Sequence, residues 1–327
     1  MTPLELRNHA SSIRRTSTTG PARSHAVATM REQFVETATD LVESDPRVAV
    51  VLADISSASF GPVMRRHPDR VLNVGIREQL MVSAAGGLAL AGMRPIVHSY
   101  ASFAVSRAYE QLKLDLTYQD VGAVVVSIGA SYDDTGSGTT HFAPEDVALF
   151  DTLPGWHVHV PAHLDEVDPL LRGAVVGGGR HYIRLTDYVV PRLRIVPTTR
   201  PRAVVVAVGP TVANVIEATH GLDVAVLPIT TVRPFPLQAL RRAVFELTGE
   251  ADVILVEPYL AGTSAHEVAT ALVDVRHRLL ALGVGRRDLR RYGTAAEHDA
   301  AHGIDVVGLR RSIRNFVDAG YKMPDGE

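Results

Sequence analysis

The fold of this chain is limited first of all by four short apolar runs. "RVAVVLAD" (47–54), "GAVVVSIGA" (122–130), "AVVVAVG" (203–209) and "DVILVEP" (252–258) are almost continuously apolar and rich in β-branched residues. A strand with one wet face alternates apolar and polar residues. A strand without alternation must be covered on both faces, which is the situation of a parallel sheet. The segments between the runs carry helical spacing. "TMREQFVETATDLVESDP" sets Phe34, Val35, Ala38, Leu41 and Val42 at i, i+3/i+4 intervals before a turn at Asp45-Pro46. "EQLMVSAAGGLALAG" reads as a buried helix whose small residues permit close packing. "RPIVHSY" reads as a strand, "FAVSRAYEQLKLDLTYQ" as a helix, and "HVHVPAH" and "HYIRLT" as short strands. This alternation predicts an α/β fold of two domains, each with a mostly parallel sheet flanked by helices.

The division into two follows from length and punctuation. A chain of 327 residues exceeds the roughly 100–200 of one domain. Pro191, Pro197 and Pro201 mark a linker in "DYVVPRLRIVPTTRPR". The expected division is a flexible arm at 1–28, a first domain at 29–190, a linker at 191–202 and a second domain at 203–327. The arm is rich in Ser, Thr and Arg and lacks the apolar centre of a secretory signal. A net charge of −3 argues against nucleic acid as partner, because phosphate neutralisation needs a basic face. The absence of cysteine excludes disulfides, thiolate nucleophiles and cysteine-bound metals, and fits a reducing cytoplasm. No apolar run approaches the ~18 residues of a membrane span.

Familiar catalytic signatures are missing. There is no G-x-x-x-x-G-K-[ST] loop, no G-x-G-x-x-G after a strand, no H-E-x-x-H and no G-x-S-x-G. Gly177, Gly178 and Gly179 cluster without the rest of a dinucleotide fingerprint. His157 and His159 share one strand face, but no third metal ligand is evident, so they read as structural. Glu257-Pro258 is placed where an open sheet presents its strand C-ends. Three segments hold more promise. "HPDRVLNVGIREQLMVSAAGGLALAG" (67–92) places Glu78 at a helix start on the C-terminal edge of a sheet. That acid serves either the helix dipole or a ligand. "SYASFAVSRAYEQL" (99–112) sets Tyr100 and Phe103 at the next strand-to-helix passage, as core or as a ring platform. "GSGTTHFAPEDVALF" (136–150) delivers His141 from a glycine-rich loop, either as an acid/base group or as a loop histidine bonded to backbone.

The order and spacing of these segments together resemble the C-terminal two-thirds of transketolase, its pyrimidine-binding domain followed by its C-terminal domain. "PDRVLNVGIREQLMVSAAGGLALAG" is similar to the family's P-x-R-x-x-N-x-G-I-x-E-Q-x-M-x-x-x-A-x-G-L-A-x-x-G, and "GTTHFAPEDVALF" to G-x-T-H-x-x-x-E-D-x-A. "YASFAVSRAYEQL" resembles the aromatic segment of stand-alone second subunits. "PGWHVHVPAHLDEV" resembles the segment that follows, with Ala162-His163 in place of the usual x-D pair. "VVAVGPTV", "ITTVRPFP" and "VEPYLAGTSAHEV" look like landmarks of the second domain.

The resemblance implies thiamine diphosphate as cofactor. Glu78 would bond N1′ of the aminopyrimidine and favour the tautomer that strips the thiazolium C2 proton. Phe103 and Tyr100 would pack on the pyrimidine, and His141 would face a substrate hydroxyl or carbonyl. The family's G-D-G…N-N element, which binds the diphosphate through a divalent Mg or Ca ion, is absent from this sequence. The resemblance therefore implies the second subunit of a split transketolase. Its partner would be an N-terminal, diphosphate-binding subunit that carries the metal, in an α2β2 assembly sharing the cofactor. Such an enzyme moves a two-carbon ketol unit between a ketose donor and an aldose acceptor. Three departures bear on the sugar. Ser137 replaces the acid of G-x-D-G-x-T-H, Asp187 replaces a phosphate-gripping arginine, and Gly129 stands where a phosphate-facing histidine often sits. A carboxylate repels phosphate, so the expected substrate is a nonphosphorylated or otherwise unusual sugar. The alternatives are the β-subunit of a 2-oxo-acid dehydrogenase and, in another class, a non-catalytic scaffold or regulatory subunit.

Overall fold

A computed structural model describes residues 29–188 and 194–320. The expected arm, the last two residues of the expected first domain, the first three of the linker and the last seven of the second domain lie outside the described residues. Eleven strands are described: β1 (Val48–Leu52), β2 (Val71–Asn73), β3 (Arg94–Tyr100), β4 (Ala123–Ile128), β5 (Trp156–His159), β6 (Arg180–Arg184), β7 (Ala203–Val208), β8 (Val224–Ile229), β9 (Thr231–Arg233), β10 (Ala251–Leu260) and β11 (His277–Val284). They form a seven-stranded sheet in the order β2-β1-β3-β4-β6-β5-β9 and a four-stranded sheet in the order β11-β10-β7-β8. Among the described residues every pairing is parallel except β5 with β9. The predicted α/β class is borne out. The unalternating runs are the reason: β1, β4 and β7 are buried along their whole length, with helices on both faces.

The first helix, Met30–Ser44, follows its sequence pattern. It buries Phe34, Ala38, Leu41 and Val42, and starts on a reciprocal cap between Thr29 and Glu32. Gly178 and Gly179 adopt left-handed φ values of 70° and 71° between the helix Val167–Gly177 and β6, so the glycine cluster makes a turn. No helix among the described residues is long and apolar enough to cross a membrane.

Two helix readings need correction, and two further features emerge only in the fold. The helix Glu78–Leu90 is buried on one face only. Its small residues do admit a close neighbour, since a Cβ at Gly86 would lie 2.7 Å from the carbonyl of Asp115. Its other face leaves Leu80 and Leu90 in solvent. The helix expected from "FAVSRAYEQLKLDLTYQ" is widened into i→i+5 turns at Ser102–Arg107 and Leu112–Tyr118, with a short regular piece at Tyr109–Gln111 between them. β9 leaves the second half of the chain to pair with the edge of the first sheet, with Val232 buried and Arg233 bound to Asp151. Glu257 lies inside β10, fully buried, and its carboxylate accepts the amides of Gly262 and Ser264 at 2.9 Å. It closes a turn rather than facing a ligand.

His157 and His159 acquire a third histidine that sequence spacing did not reveal. His181 on the neighbouring β6 stacks on His157 at 4.6 Å and on His159 at 5.4 Å. Rings that stack in parallel cannot converge on one metal. They form a hydrogen-bond chain instead. His181 Nε2 must donate to the Gly178 carbonyl at 2.7 Å, so its Nδ1 accepts from His159 Nε2 at 3.1 Å, and His159 Nδ1 accepts from the Thr231 hydroxyl at 3.0 Å. Burial pulls both imidazoles down to about 4. A neutral His181 therefore contributes stability that is present above its unfolded value near 6.5 and lost as pH falls towards 4. His181→Gln removes that titration while keeping a donor towards Gly178. Urea unfolding between about pH 7 and 4.5 will show a shallower loss of stability in the variant than in the parent. Equal losses contradict the assignment.

Candidate active site

Glu78 opens its helix just beyond β2, where the first-turn amides and the helix dipole favour a carboxylate. It is 1% exposed. A charge buried to that degree needs partners, and Arg107 supplies the main one: its Nη1 donates to Glu78 Oε2 at 2.8 Å. Oε1 has only a long bond, 3.4 Å from the Ser99 hydroxyl. One carboxylate oxygen is thus held and the other is left able to receive a donor. Arg107 also lies over the Phe103 ring, 3.9 Å from its centroid. Phe103 and Arg107 belong to the same wide turns, and Gln79 donates to the Arg107 carbonyl at 3.3 Å. Acid, guanidinium and ring form one unit.

His141 joins this unit from the loop of residues 129–146. Its ring stands edge-to-face against Phe103 at 4.8 Å and Tyr100 at 5.4 Å, and the last two rings are 6.0 Å apart. The Thr140 hydroxyl engages His141 Nδ1 at 3.0 Å. Gly129 starts the loop at φ 71°, and the Tyr100 ring takes the space beside it. A Cβ there would lie 2.3 Å from Tyr100 Cδ1.

The other end of the loop is anchored by charge. Asp146 is fully buried and accepts from Arg184 Nε and from the Tyr182 hydroxyl, both at 2.7 Å. Arg184 Nη2 reaches the Ser131 hydroxyl at 2.7 Å, and Ser131 in turn donates to the Pro258 carbonyl in the other half of the chain. The Asp146 charge holds the Arg184 guanidinium above its ordinary value against desolvation. Gly138, at φ 71°, lies beneath the Tyr292 ring of the second half.

Of the residues singled out in the sequence, Glu78, Phe103, Tyr100 and His141 come together. Ser137 does not join them: it is exposed, and its hydroxyl and amide bond Asp134 at 2.8 and 3.2 Å. Asp187 lies at the rim, its amide bonded to Asp133 at 2.9 Å. His163 acts as a helix cap, with Nδ1 accepting from the Asp165 amide at 3.2 Å, so imidazole does the work of the usual aspartate. Two residues were missed. Arg107 stands four places after Phe103 within "SYASFAVSRAYEQL", at helical spacing for a shared face. Arg31 lies 5.9 Å from the Tyr100 centroid, with a buried Nε that has no hydrogen-bond partner among the described residues, and its charge acts on Asp187. Nothing in its local sequence distinguished it.

The family described as "Transketolase, pyrimidine binding domain" matches residues 26–190. A 33.6 kDa protein from the fasciation locus of Rhodococcoides fascians is 48% identical over 87% of this chain and 93% of its own length. One of the subunits of the apulose-4-phosphate transketolase of Actinobacillus succinogenes is 29% identical over 91% of this chain and 90% of its length. Among solved structures, a split-gene transketolase described as an inactive β4 tetramer superposes with a TM-score of 0.74 at 22% identity, covering 89% of this chain and 98% of the other. A Pichia stipitis transketolase gives 0.73 at 17% identity, covering 90% of this chain but 47% of the other. At these identities the structures show a shared fold.

The Glu78–Arg107 pair is open to direct test. Arg107→Ala leaves a buried carboxylate with one weak partner and should lower folding stability by about 1–3 kcal/mol, read from urea unfolding. Arg107→Lys restores the charge but not the flat stacking on Phe103, and should recover only part of the loss. A neutral effect of Arg107→Ala contradicts the pairing.

Proposed function

The chain belongs to the transketolase family and is like one of the two polypeptides of split transketolases, and from that premise we propose that it is the pyrimidine-side subunit of a two-chain, thiamine-diphosphate-dependent ketol transferase. The observation that carries this reading is the junction of a buried Glu78 with Phe103 and His141 through Arg107. The residues fit the aminopyrimidine half of the cofactor. Glu78 Oε1 is available to N1′, and Phe103 and Tyr100 offer ring surface. When bound, the cofactor supplies the nucleophilic carbon that cleaves and re-forms the ketose C2–C3 bond. The chain's own residues do the rest. Arg107 keeps Glu78 in place, the aromatic rings exclude water, and His141 Nε2 faces a substrate oxygen as donor or acceptor.

A companion chain would bind the diphosphate and its metal. The apolar surface bordering Glu78 supports this: Ile76 is 71% exposed and Leu80 47%, flanking a catalytic carboxylate where solvent is unwelcome. An α2β2 assembly is the simplest arrangement of such pairs.

The substrate reading rests on the rim. Arg31 offers one positive charge, and Asp187 offsets it. Gly129 offers no side chain, and the Tyr100 ring fills its place. That combination favours a ketose or aldose without a terminal phosphate, or one whose charge is otherwise placed.

Reconstitution with the companion subunit tests both levels. Glu78→Gln should lower kcat by at least about 100-fold without dissociating the complex; near-normal turnover contradicts the catalytic reading and supports a scaffold. Asp187→Arg should raise kcat/KM for ribose 5-phosphate as acceptor by at least about tenfold. Parent rates with xylulose 5-phosphate and ribose 5-phosphate equal to those of ordinary transketolases contradict the substrate reading alone.

A further inference from the structure

A cavity of about 260 Å³ lies between the two sheets, and it contains none of Glu78, Tyr100, Phe103 or His141. At about 30 Å³ per water it has room for roughly nine water-sized groups. Its position is one that open α/β sheets reserve for ligands. In the smaller sheet β7 has β8 on one side and β10 on the other, so the chain order reverses there. The cavity sits at that switch point. The turn after β7 and Pro258 of β10 form one wall, and the residues beyond the ends of β4 and β6 form the opposite one.

The chemistry of the lining is one-sided. Asp133 contributes a carboxylate from the loop after β4 and Asp299 one from the helix Ala295–His302. Arg184 also lines the space, but its charge is matched by Asp146 at 2.7 Å. The walls between the two acids are aromatic. Tyr132 donates its hydroxyl to Asp299 and stacks on His298 at 4.9 Å. Tyr188 lines the cavity with a buried hydroxyl that has no hydrogen-bond partner among the described residues. Asp133 accepts from the Ala130 and Asp187 amides at 3.1 and 2.9 Å and from the Thr186 side chain, and Asp299 accepts from Tyr132, yet burial still pushes Asp133 up to about 7 and Asp299 up to about 6. Buried polar groups are usually satisfied, and an orphan hydroxyl in a cavity lined by two carboxylates asks for a partner.

We propose that this cavity binds a small organic ammonium ion. The carboxylates of Asp133 and Asp299 receive its N–H donors, the Tyr132 and Tyr188 rings flank the cation, and the Tyr188 hydroxyl is satisfied by a polar group of the same ligand. The site is separate from the proposed transferase chemistry and does not depend on it.

The test uses the full chain without companion subunit or thiamine diphosphate, so its outcome is independent of catalysis. Benzylammonium chloride, benzyl alcohol and sodium benzoate are titrated at about pH 8, above the values of about 7 and 6 to which burial pushes the two carboxyls, and followed by ligand-observed NMR. Benzylammonium should bind saturably, at least about tenfold more tightly than the neutral alcohol, with benzoate excluded. Asp299→Asn keeps an acceptor for Tyr132 and should weaken benzylammonium by a similar factor. Tyr188→Phe breaks no hydrogen bond of that hydroxyl among the described residues and should weaken binding by about threefold. Absence of benzylammonium binding, equal binding of the alcohol or benzoate, or unchanged affinity in both variants overturns the proposal.

Discussion

The buried pair Asp146–Arg184 ties together parts of the molecule that would otherwise be independent. Both side chains are essentially sealed from solvent, and neither is stable there alone. Together with Tyr182, Ser127 and Ser131 they form a satisfied polar network in an otherwise apolar interior. The network fixes the end of a long loop to the sheet, and through Ser131 fixes both to Pro258 in the other half of the chain. Leu260 repeats the tie by donating its amide to the Pro144 carbonyl at 2.9 Å. The loop so anchored presents His141. A glycine-rich segment can hold a side chain in fixed geometry only if its ends are immobile, and here a charge pair supplies that immobility.

The second constraint is the widening of the helical turns over residues 102–118. The wide turns coincide with the point where one guanidinium touches both the Phe103 ring and the Glu78 carboxylate. They also bring Asp115 against Gly86 and Ser83, locking the helix that Glu78 begins. The acid, the ring and the imidazole are therefore positioned by two helices that constrain each other, with the loop closing over them.

Much of this was legible in the residues. Unalternating apolar runs pointed to strands covered on both faces, which a parallel sheet flanked by helices provides. Glu78, Tyr100, Phe103 and His141 were found from motif order, and the fold brings them together. Other features are tertiary in origin and left no local trace. The third histidine of the stack comes from an adjacent strand, whose register no single segment states. The crossing of β9 to the first sheet depends on a three-residue strand, too short to carry a pattern. Helix periodicity could not distinguish ordinary turns from wide ones. The half-exposed face of Glu78–Leu90 reads as buried because its residues are apolar whether or not a neighbour covers them. Arg31 and Arg107 were hidden in an arginine-rich composition, where one more arginine carries little information.

On the proposed function, this chain holds only half of a cofactor site, and the other half belongs to its companion. The decisive measurement is retention of thiamine diphosphate through gel filtration, with this chain alone, its companion alone, and the two mixed in the presence of Mg²⁺. Shared occupancy predicts stoichiometric cofactor only in the mixed complex. Tight retention by this chain alone, or none by the mixture, would contradict it.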